Sequence, residues 1–409
     1  MVCVLGVVLV PSAAAAQDFS GDGPLWYMDA MKIQAIHDAG ITGEGVTIAV
    51  FDGALNPDVA TLRGADIEVR QLDGCPDPLA AAESDFEALQ HGTSVTSLIV
   101  GNGTSDSGVG PVGLAPGVRI LYYGSLQEGC EGNPFPAALA DALAQGADIV
   151  TMSGGNGRLV EELSQKSADG VAAALRAGVV VVASLPNADS TWEGELGKIN
   201  GVVNVASVDA TAQPAKSRDG SDMTNDDVDV VAPGVDVAGV GWDRTWGMST
   251  WSGNSAATPI VAGLLALAKE KWPDATASQL LQSLIRNTGS APHELQWSNT
   301  FGHGTVNATR VLQEDPAQYP DENPLFTDGQ APTFDEVYSA PESSAPDAAD
   351  AQKGTGPGAL PWVLAGGGAV VGLVVVTLIV VIRRRRGGAV DPGDREKNTS
   401  VPTSSVHRP

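Results

Sequence analysis

The chain has 409 residues, 43% of them hydrophobic, which is enough for one large domain or two ordinary ones with a sizeable core. Its 49 acidic residues against 23 lysines and arginines give a formal net charge of -26. A surface of this sign repels nucleic acid, and the sequence holds no basic stripe with interleaved aromatic residues, so nucleic-acid binding is excluded as its function.

The first predicted element is a secretory signal at residues 1–16. This stretch is a short apolar run that ends in four alanines and is followed by Gln17 and Asp18. An apolar segment ending in small residues is typical of a signal peptide and its cleavage site. The basic residues that usually open such a signal are missing, which leaves the true start of the chain open.

Residues 46–313 alternate between two kinds of segment, as expected of a domain built from strands and helices. Short β-branched runs bounded mostly by Gly, Asp or Pro alternate with Ala-rich helical stretches. The strand-like runs are VTIAVF (46–51), ADIVTM (147–152), GVVVVAS (178–184), GVVNVAS (201–207) and DVVAP (229–233). Such near-continuous apolar runs are typical of parallel strands buried on both faces. We predict an α/β fold with a mostly parallel sheet and helices on both faces, preceded by a lead segment at 17–45.

Beyond this domain the composition predicts a linker, a membrane span and a tail. Residues 314–359 are rich in Pro, Ala, Ser, Asp and Glu, which is typical of a disordered linker. Residues 360–382 are apolar, and about 22 residues at about 1.5 Å each reach about 33 Å, enough to cross a bilayer. A buried core helix is the alternative, but the run is too uniformly apolar for one. Four arginines at 383–386 follow, so we predict a transmembrane helix with a cytoplasmic tail at 383–409.

Cys75 and Cys130 are the only cysteines that remain after removal of the predicted signal. An extracytoplasmic location permits a disulfide bond between them. Two free buried thiols are the alternative. Both cysteines lie in polar loop sequence with Gly or Pro rather than in core runs, which favours the bridge.

Three polar residues stand beside apolar runs in a suggestive order. Asp52 ends the run VTIAVF, His91 opens His-Gly-Thr, and Ser255 precedes a helix-like run. Taken singly, an Asp at a strand end is usually a turn residue and a Ser before a helix is usually an N-cap. Their order along the chain is that of a subtilisin-type Asp-His-Ser triad, and differs from that of chymotrypsin or the α/β-hydrolases.

These residue types are the ones that acyl transfer requires. A serine hydroxyl is a poor nucleophile until a base takes its proton, and imidazole does so near neutral pH. A carboxylate then holds the imidazole in one tautomer and stabilises the imidazolium. The start of a helix supplies free N–H groups for an oxyanion, and Pro259 is expected in its first turn.

Over about residues 40–312 the chain resembles the subtilisin-like serine peptidases, or subtilases. The matching patterns, in order, are HGTSVTSLIVG, GLAPGVRI, IVTMSGG, VDVVAPG, GNSAATPIVAGLLAL and FGHGTVNA. The resemblance implies a subtilisin-like fold and a serine endopeptidase. It makes Asp52 the carboxylate, His91 the general base and acid, and Ser255 the nucleophile.

The resemblance also implies an oxyanion-hole donor and a substrate-binding segment. Asn187 occupies the position of the family's side-chain amide donor. The segment Met152, Ser153, Gly154 and Gly155 matches the strand that pairs with the substrate backbone.

Three supporting positions depart from the family pattern. The family's Asp-Ser/Thr-Gly reads Asp52-Gly53-Ala54, and its Gly-Thr-Ser reads Gly253-Asn254-Ser255. The Gly before the oxyanion Asn is Pro186. All four chemical side chains remain, so we predict an active peptidase.

The whole architecture resembles the mycosins, the membrane-anchored subtilases of type VII secretion systems. Signal, subtilase domain without a full prodomain, Pro-rich linker, one C-terminal span and short basic tail occur in that order. The resemblance implies a single-pass protein of the cell membrane with an extracytoplasmic catalytic domain. Its expected partners are a protein or peptide substrate and type VII secretion membrane components. The alternatives are a noncatalytic scaffold subunit with a subtilase fold and a generic cell-surface subtilase.

No cofactor or metal is predicted. The remaining histidines, His37, His293, His303 and His407, have no ligand spacing. The acidic loop at 221–229 could hold calcium, but a solvated loop is the simpler interpretation of its composition.

Overall fold

A seven-stranded sheet, in which every neighbouring pair of strands is parallel, forms the centre of the protein. The computed structural model describes residues 20–79, 86–124, 130–154, 165–187, 199–241 and 244–326. The strands of the sheet are β1 (Thr47–Phe51), β2 (Asp66–Arg70), β5 (Arg119–Tyr123), β6 (Ile149–Met152), β7 (Val180–Ser184), β8 (Val203–Val208) and β9 (Val230–Pro233). Their order across the sheet is β2-β5-β1-β6-β7-β8-β9.

Two small antiparallel pairs and a set of helices surround this sheet. The pairs are β3 (Asn102–Ser105) with β4 (Gly108–Val112), and β10 (Val237–Val240) with β11 (Met248–Trp251). The helices are α1 (Trp26–Ala30), α2 (Ile33–Asp38), α3 (Phe86–Val100), α4 (Phe135–Ala144), α5 (Gln165–Arg176), α6 (Asn254–Lys271), α7 (Ala277–Arg286) and α8 (Ala308–Gln313).

Strand β1 shows why helices cover both faces of the sheet. Its side chains alternate between two hydrophobic clusters because successive residues of a strand point to opposite faces. Ile48 and Val50 pack in the cluster that includes α3 and α6, whereas Ala49 and Phe51 pack in the cluster that includes α4 and α5. The predicted α/β fold, with a mostly parallel sheet and helices on both faces, is confirmed.

The order of the strands determines which edge of the sheet can hold a site. From β1 the chain builds β2 and β5 on one side, and then β6 to β9 on the other. Strands β1 and β6 are therefore neighbours at a point where the winding direction changes. In open α/β sheets the carboxyl ends of the strands at such a point form a crevice that binds ligands.

Helix α6 is the most deeply buried helix that the structure describes. Every residue from Ala256 to Ala268 is buried, so this helix packs against the sheet along most of its length. Pro259 is its sixth residue rather than part of its first turn. Because proline has no N–H, the carbonyl of Ser255 lacks the intrahelical donor that any other residue at 259 would supply.

The segment before the sheet belongs to the same core as the sheet. Trp26 and Tyr27 are 4% and 0% exposed. The Tyr27 hydroxyl donates to the carbonyl of Val112 (2.6 Å), and the Trp26 indole N–H donates to that of Val235 (3.0 Å). The predicted lead segment, as far as the structure describes it, is thus an integral part of the domain.

The folded domain extends further toward the C-terminus than the sequence predicts. Residues 314–326, assigned by composition to the linker, lie against the domain. The Gln282 amide donates to the carbonyl of Glu322 (3.0 Å), and the Asn287 amide donates to the Tyr319 hydroxyl (3.0 Å). Phe326 packs on the cluster that includes α4 and α5. A few well-placed aromatic residues anchor this stretch although its average composition is that of a linker.

The predicted bridge between Cys75 and Cys130 is present, with 4.0 Å between their Cα atoms. It joins the segment after β2 to the segment before α4. A second contact in the same place is the Glu131 N–H, which donates to the carbonyl of Gly74 (2.7 Å).

None of the helices within the described residues is both long and apolar enough to cross a membrane. The predicted signal at 1–16, the rest of the linker, the span at 360–382 and the tail at 383–409 lie outside those residues.

Candidate active site

The structure brings Asp52 and His91 into direct contact at the carboxyl end of β1. Asp52 follows that strand and is 2% exposed. The imidazole Nδ1 of His91, on α3, lies 2.8 Å from Asp52 Oδ1. Because a carboxylate oxygen can only accept, Nδ1 carries the proton and Nε2 of the neutral ring is left as a base.

The carboxylate of Asp52 is held in one orientation. Its Oδ1 also accepts from the N–H of Gly53 (2.7 Å), and its own N–H donates to the carbonyl of Tyr123 (3.1 Å). The second oxygen, Oδ2, is buried and has no hydrogen-bond partner among the described residues. Burying a carboxylate oxygen without a hydrogen-bond partner is energetically costly. A positive charge on the His91 ring would offset part of this cost.

Close packing between the loop after β1 and helix α3 accounts for two glycines of the site. A Cβ at Gly53 would lie 2.8 Å from the Cβ of Ala88, so a serine or threonine does not fit there. A Cβ at Gly92 would lie 2.0 Å from the Tyr122 hydroxyl, which donates to the carbonyl of Gly53 (3.0 Å). The Gly53 departure from the family pattern therefore has a steric reason in this protein.

The surroundings of His91 raise its pKa. Burial on its own would lower the pKa, but the charge of Asp52, the hydrogen bond to Asp52 and the charge of Glu87 together outweigh burial. Glu87 is exposed and lies one turn earlier on α3. Sequence reasoning missed this second carboxylate, although its spacing of four residues from His91 was the available signal.

Trp251 is a further neighbour that the sequence did not identify. Its ring meets that of His91 edge-on, with 5.6 Å between centroids. The indole N–H donates to the carbonyl of Ala238 (3.1 Å), which fixes the ring within the pair of β10 and β11. His91 keeps 28% of its side chain exposed, so its free edge remains accessible.

Ser255 is the second residue of α6, at the helix end where backbone N–H groups lack intrahelical partners. Among the described residues, no hydrogen bond joins its hydroxyl to His91. In unliganded hydrolases such contacts are often long and shorten when substrate binds. Helices α3 and α6 pack in the same cluster, which places the two residues on adjoining elements.

Asn187 lies beside the start of α6. Its Oδ1 accepts from the N–H of Asn254 (3.0 Å), the residue immediately before Ser255. A Cβ at Gly253 would lie 3.4 Å from both side-chain heteroatoms of Asn187. The loop after β7 and the start of α6 thus meet at the residue that the sequence singled out as an amide donor.

The predicted substrate-binding segment continues β6. Met152 pairs with Phe51 on one side and with Ala183 on the other, so the segment leaves the sheet between the loops after β1 and β7. Met152 and Ser153 are each 1% exposed, and Gly154 is half-buried. The side chains of Met152 and Ser153 are therefore buried, and the main chain of Met152 is already paired within the sheet on both sides. Gly155 lies outside the described residues.

In the part of the chain that the structure describes, no group of three or more His, Cys, Asp or Glu side chains could hold a metal ion. In the loop near 221–229, Asp222 forms an ion pair with Lys216, and Asp219 accepts from Ser217 and Ser221.

Comparison with known proteins places this site in a family. Residues 43–304 match the model of the subtilase family, a stretch that includes Asp52, His91, Asn187 and Ser255. Subtilisin Savinase of Lederbergia lenta is 30% identical over 292 residues, which cover 69% of this chain and 96% of that protein. M-protease of Shouchella clausii (strain KSM-K16) is also 30% identical over 292 residues, with 69% and 68% covered.

Solved structures share the fold at lower identity. Fervidolysin from Fervidobacterium pennivorans, a keratinolytic enzyme related to subtilisin, has a TM-score of 0.55 at 22% identity and covers 73% of this chain and 46% of that one. Prenylagaramide maturation protease PagA has a TM-score of 0.54 at 20% identity, with 69% and 98% covered. The family match spans all seven strands of the sheet and the relatives Subtilisin Savinase and M-protease are proteases, so the chain belongs to the subtilase family of serine endopeptidases.

Proposed function

We propose that this protein is a membrane-anchored, extracytoplasmic serine endopeptidase in which Asp52, His91 and Ser255 form the catalytic triad. The main support for the triad is the 2.8 Å contact between His91 Nδ1 and Asp52 Oδ1. Ser255 lies at the start of α6, which packs in the same hydrophobic cluster as α3, the helix of His91. The contact with Asp52 leaves Nε2 of His91 as the base for the Ser255 hydroxyl.

The reaction follows from the roles of these groups. His91 Nε2 takes the proton of Ser255 as Oγ attacks the scissile carbonyl, and Asp52 stabilises the imidazolium that forms. The oxyanion of the tetrahedral intermediate receives hydrogen bonds from Asn187 Nδ2 and from N–H groups at the start of α6. His91 then gives its proton to the leaving amine, and water hydrolyses the acyl-enzyme by the same steps.

Substrate binding uses backbone rather than side chains. The side chains of Met152 and Ser153 are buried and Met152 already pairs on both sides, so an extended peptide would pair with the main chain of Ser153 and Gly154, beyond the end of β6. This mode accepts many sequences, and specificity then depends on the pockets flanking the strand.

Labelling with a fluorophosphonate probe tests the assignment of the nucleophile. We expect wild-type protein to be labelled and the Ser255→Ala variant to lose all labelling. Folded wild-type protein that stays unlabelled would contradict the peptidase proposal and favour a noncatalytic scaffold with a subtilase fold.

The charge of Glu87 gives a pH prediction. The base must be neutral to act, so activity falls as the pH drops through the raised pKa of His91. Replacement Glu87→Gln removes one of the groups that raise this pKa, and the acidic limb of kcat/KM should move to lower pH. Glu44→Gln, a change of another exposed carboxylate, is the matched control. An unchanged acidic limb in Glu87→Gln would show that the charge of Glu87 does not contribute to the raised pKa of His91.

The anchoring is supported by the sequence of the C-terminal region, and the secretion partner by the resemblance of the whole architecture to that of the mycosins. The apolar run at 360–382 and the four arginines after it favour a single span with the peptidase domain outside the cell. We propose a mycosin-like protein that acts with a type VII secretion system. Extraction of membranes with alkaline carbonate should leave the full chain in the pellet. Affinity purification in mild detergent should recover secretion-channel subunits, and their absence would favour a generic cell-surface subtilase.

A further inference from the structure

Asn254, the residue immediately before Ser255, is completely buried and uses its whole side-chain amide. Its Oδ1 accepts from both the N–H (2.9 Å) and the hydroxyl (2.8 Å) of Ser207 on β8. Its Nδ2 donates to the carbonyls of Pro186 (3.1 Å) and Met223 (3.0 Å). Two donors and two acceptor sites are the full capacity of an amide, so neither hydrogen of Nδ2 remains for another partner.

The backbone of Asn254 fixes the orientation of Asn187. A backbone N–H can bond only to an acceptor, so its contact with Asn187 Oδ1 (3.0 Å) decides which end of the Asn187 amide faces the helix. The donor end, Nδ2, therefore faces away from Asn254 and is left for another acceptor. Asn254 thus holds the loop after β7 at two successive residues. Its side chain binds the carbonyl of Pro186, and its backbone N–H binds the side chain of Asn187.

Pro186 makes this attachment stiff. Its ring fixes φ and restricts Leu185 before it to extended conformations. The Leu185 N–H donates to the carbonyl of Val205 (3.0 Å), which ties the other end of the loop to β8. Pro186 and Asn254 are two of the positions that depart from the family pattern, and here they meet at a single hydrogen bond.

We propose that Asn254 is the positioning residue of the oxyanion hole: it holds the Pro186–Asn187 loop so that the Asn187 amide is oriented before substrate arrives. Its own side chain does not donate to the oxyanion, because both of its hydrogens are bound elsewhere. The inference rests on the proposed function, in which Ser255 is the nucleophile and Asn187 the donor.

A double-mutant cycle between Asn254 and Asn187 tests the inference, read out as the rate of fluorophosphonate labelling of the full-length protein. Asn254→Asp keeps the shape and the acceptor for Ser207 but loses both donors. We expect labelling to slow by about 10- to 100-fold, as for a misplaced catalytic group. In the Asn187→Ala background the same change should slow labelling by less than about threefold, because the group it positions is already absent.

Stability alone would not give this pattern. Thr258→Val is the matched control, since the Thr258 hydroxyl donates to the Asn254 carbonyl (2.9 Å) on the same helix turn without touching the loop. It should lower the thermal midpoint and leave the labelling rate unchanged. Where Asn254→Asp does not fold, Asn254→Thr replaces it, since threonine is too short to reach both Ser207 and Pro186.

Two results would overturn the inference. One is labelling of Asn254→Asp at the wild-type rate, and the other is an equal loss in both backgrounds, which would make the two residues independent. Wild-type protein that is not labelled at all is a different outcome. It removes the proposed function, and the inference with it, before any Asn254 variant is compared.

Discussion

Replacing Asp52 by asparagine is expected to lower kcat/KM for peptide hydrolysis by about 10,000-fold. Asp52 Oδ1 lies 2.8 Å from His91 Nδ1, and an amide placed there can present its NH2 to that nitrogen. The imidazole would then carry its proton on Nε2, where the Ser255 proton has to go. The imidazolium would also lose the carboxylate that offsets its charge in a partly buried place.

A chromogenic peptide anilide that the wild-type protein hydrolyses is a suitable substrate for this measurement. Asp58→Asn is the matched control, because Asp58 is an exposed carboxylate in the same loop. The control should keep wild-type activity. A loss of less than about tenfold in Asp52→Asn, with an unchanged thermal midpoint, would contradict the role of Asp52.

The contact between Asp52 and His91 also predicts how activity depends on pH. Asp52 raises the pKa of His91, so the acidic limb of any residual activity in Asp52→Asn should lie at lower pH than in the wild type. Glu87→Gln should shift the limb in the same direction with far smaller loss of rate, since Glu87 acts through space and does not set the tautomer.

The parts of the fold that depend on local pattern were accessible from the sequence. Uninterrupted β-branched runs predicted a parallel sheet covered on both faces, and β1 alternates between the two hydrophobic clusters as expected. Asp52 and His91 were singled out because each lies beside an apolar run and because, with Ser255, they follow the chain order of a subtilisin-type triad. Their contact could not be measured from sequence, since it depends on how α3 packs against the loop after β1.

Features that depend on one long-range contact were not accessible. Residues 314–326 have the composition of a linker, yet Tyr319 and Phe326 dock them onto the domain. Pro259 looked like a first-turn residue because the sequence does not show that α6 already begins at Asn254. Composition averages over a segment, whereas one aromatic side chain or one helix boundary decides these cases.

The departures from the family pattern in the site also depend on long-range contacts that the sequence does not show. Gly53 is explained by the Cβ of Ala88, which leaves no room for a side chain at that position. Asn254 and Pro186 are explained by each other, through a hydrogen bond between residues 68 positions apart. Together, these contacts hold the loop around Asn187.

Replacing Asn187 by alanine should lower kcat by about 100- to 1000-fold with little change in KM. The oxyanion exists only in the transition state and the tetrahedral intermediate, so a donor aimed at it stabilises those states and not the bound substrate. The contact of Asn187 Oδ1 with the Asn254 N–H leaves Nδ2 as the group available for this task. Steady-state kinetics with the peptide anilide would separate kcat from KM.

The effect of Asn187→Ala on stability is expected to be small, and it can be measured separately from the effect on kcat. Alanine leaves the buried Asn254 N–H without its acceptor, which costs about 1 to 3 kcal/mol of folding free energy. A thermal midpoint lowered by a few degrees is therefore expected alongside the loss of kcat. Asn299→Ala, a change of an exposed asparagine far along the chain, should leave both quantities unchanged. If Asn187→Ala raised KM and kept kcat, Asn187 would be a substrate-binding residue and the oxyanion would depend on backbone N–H groups alone.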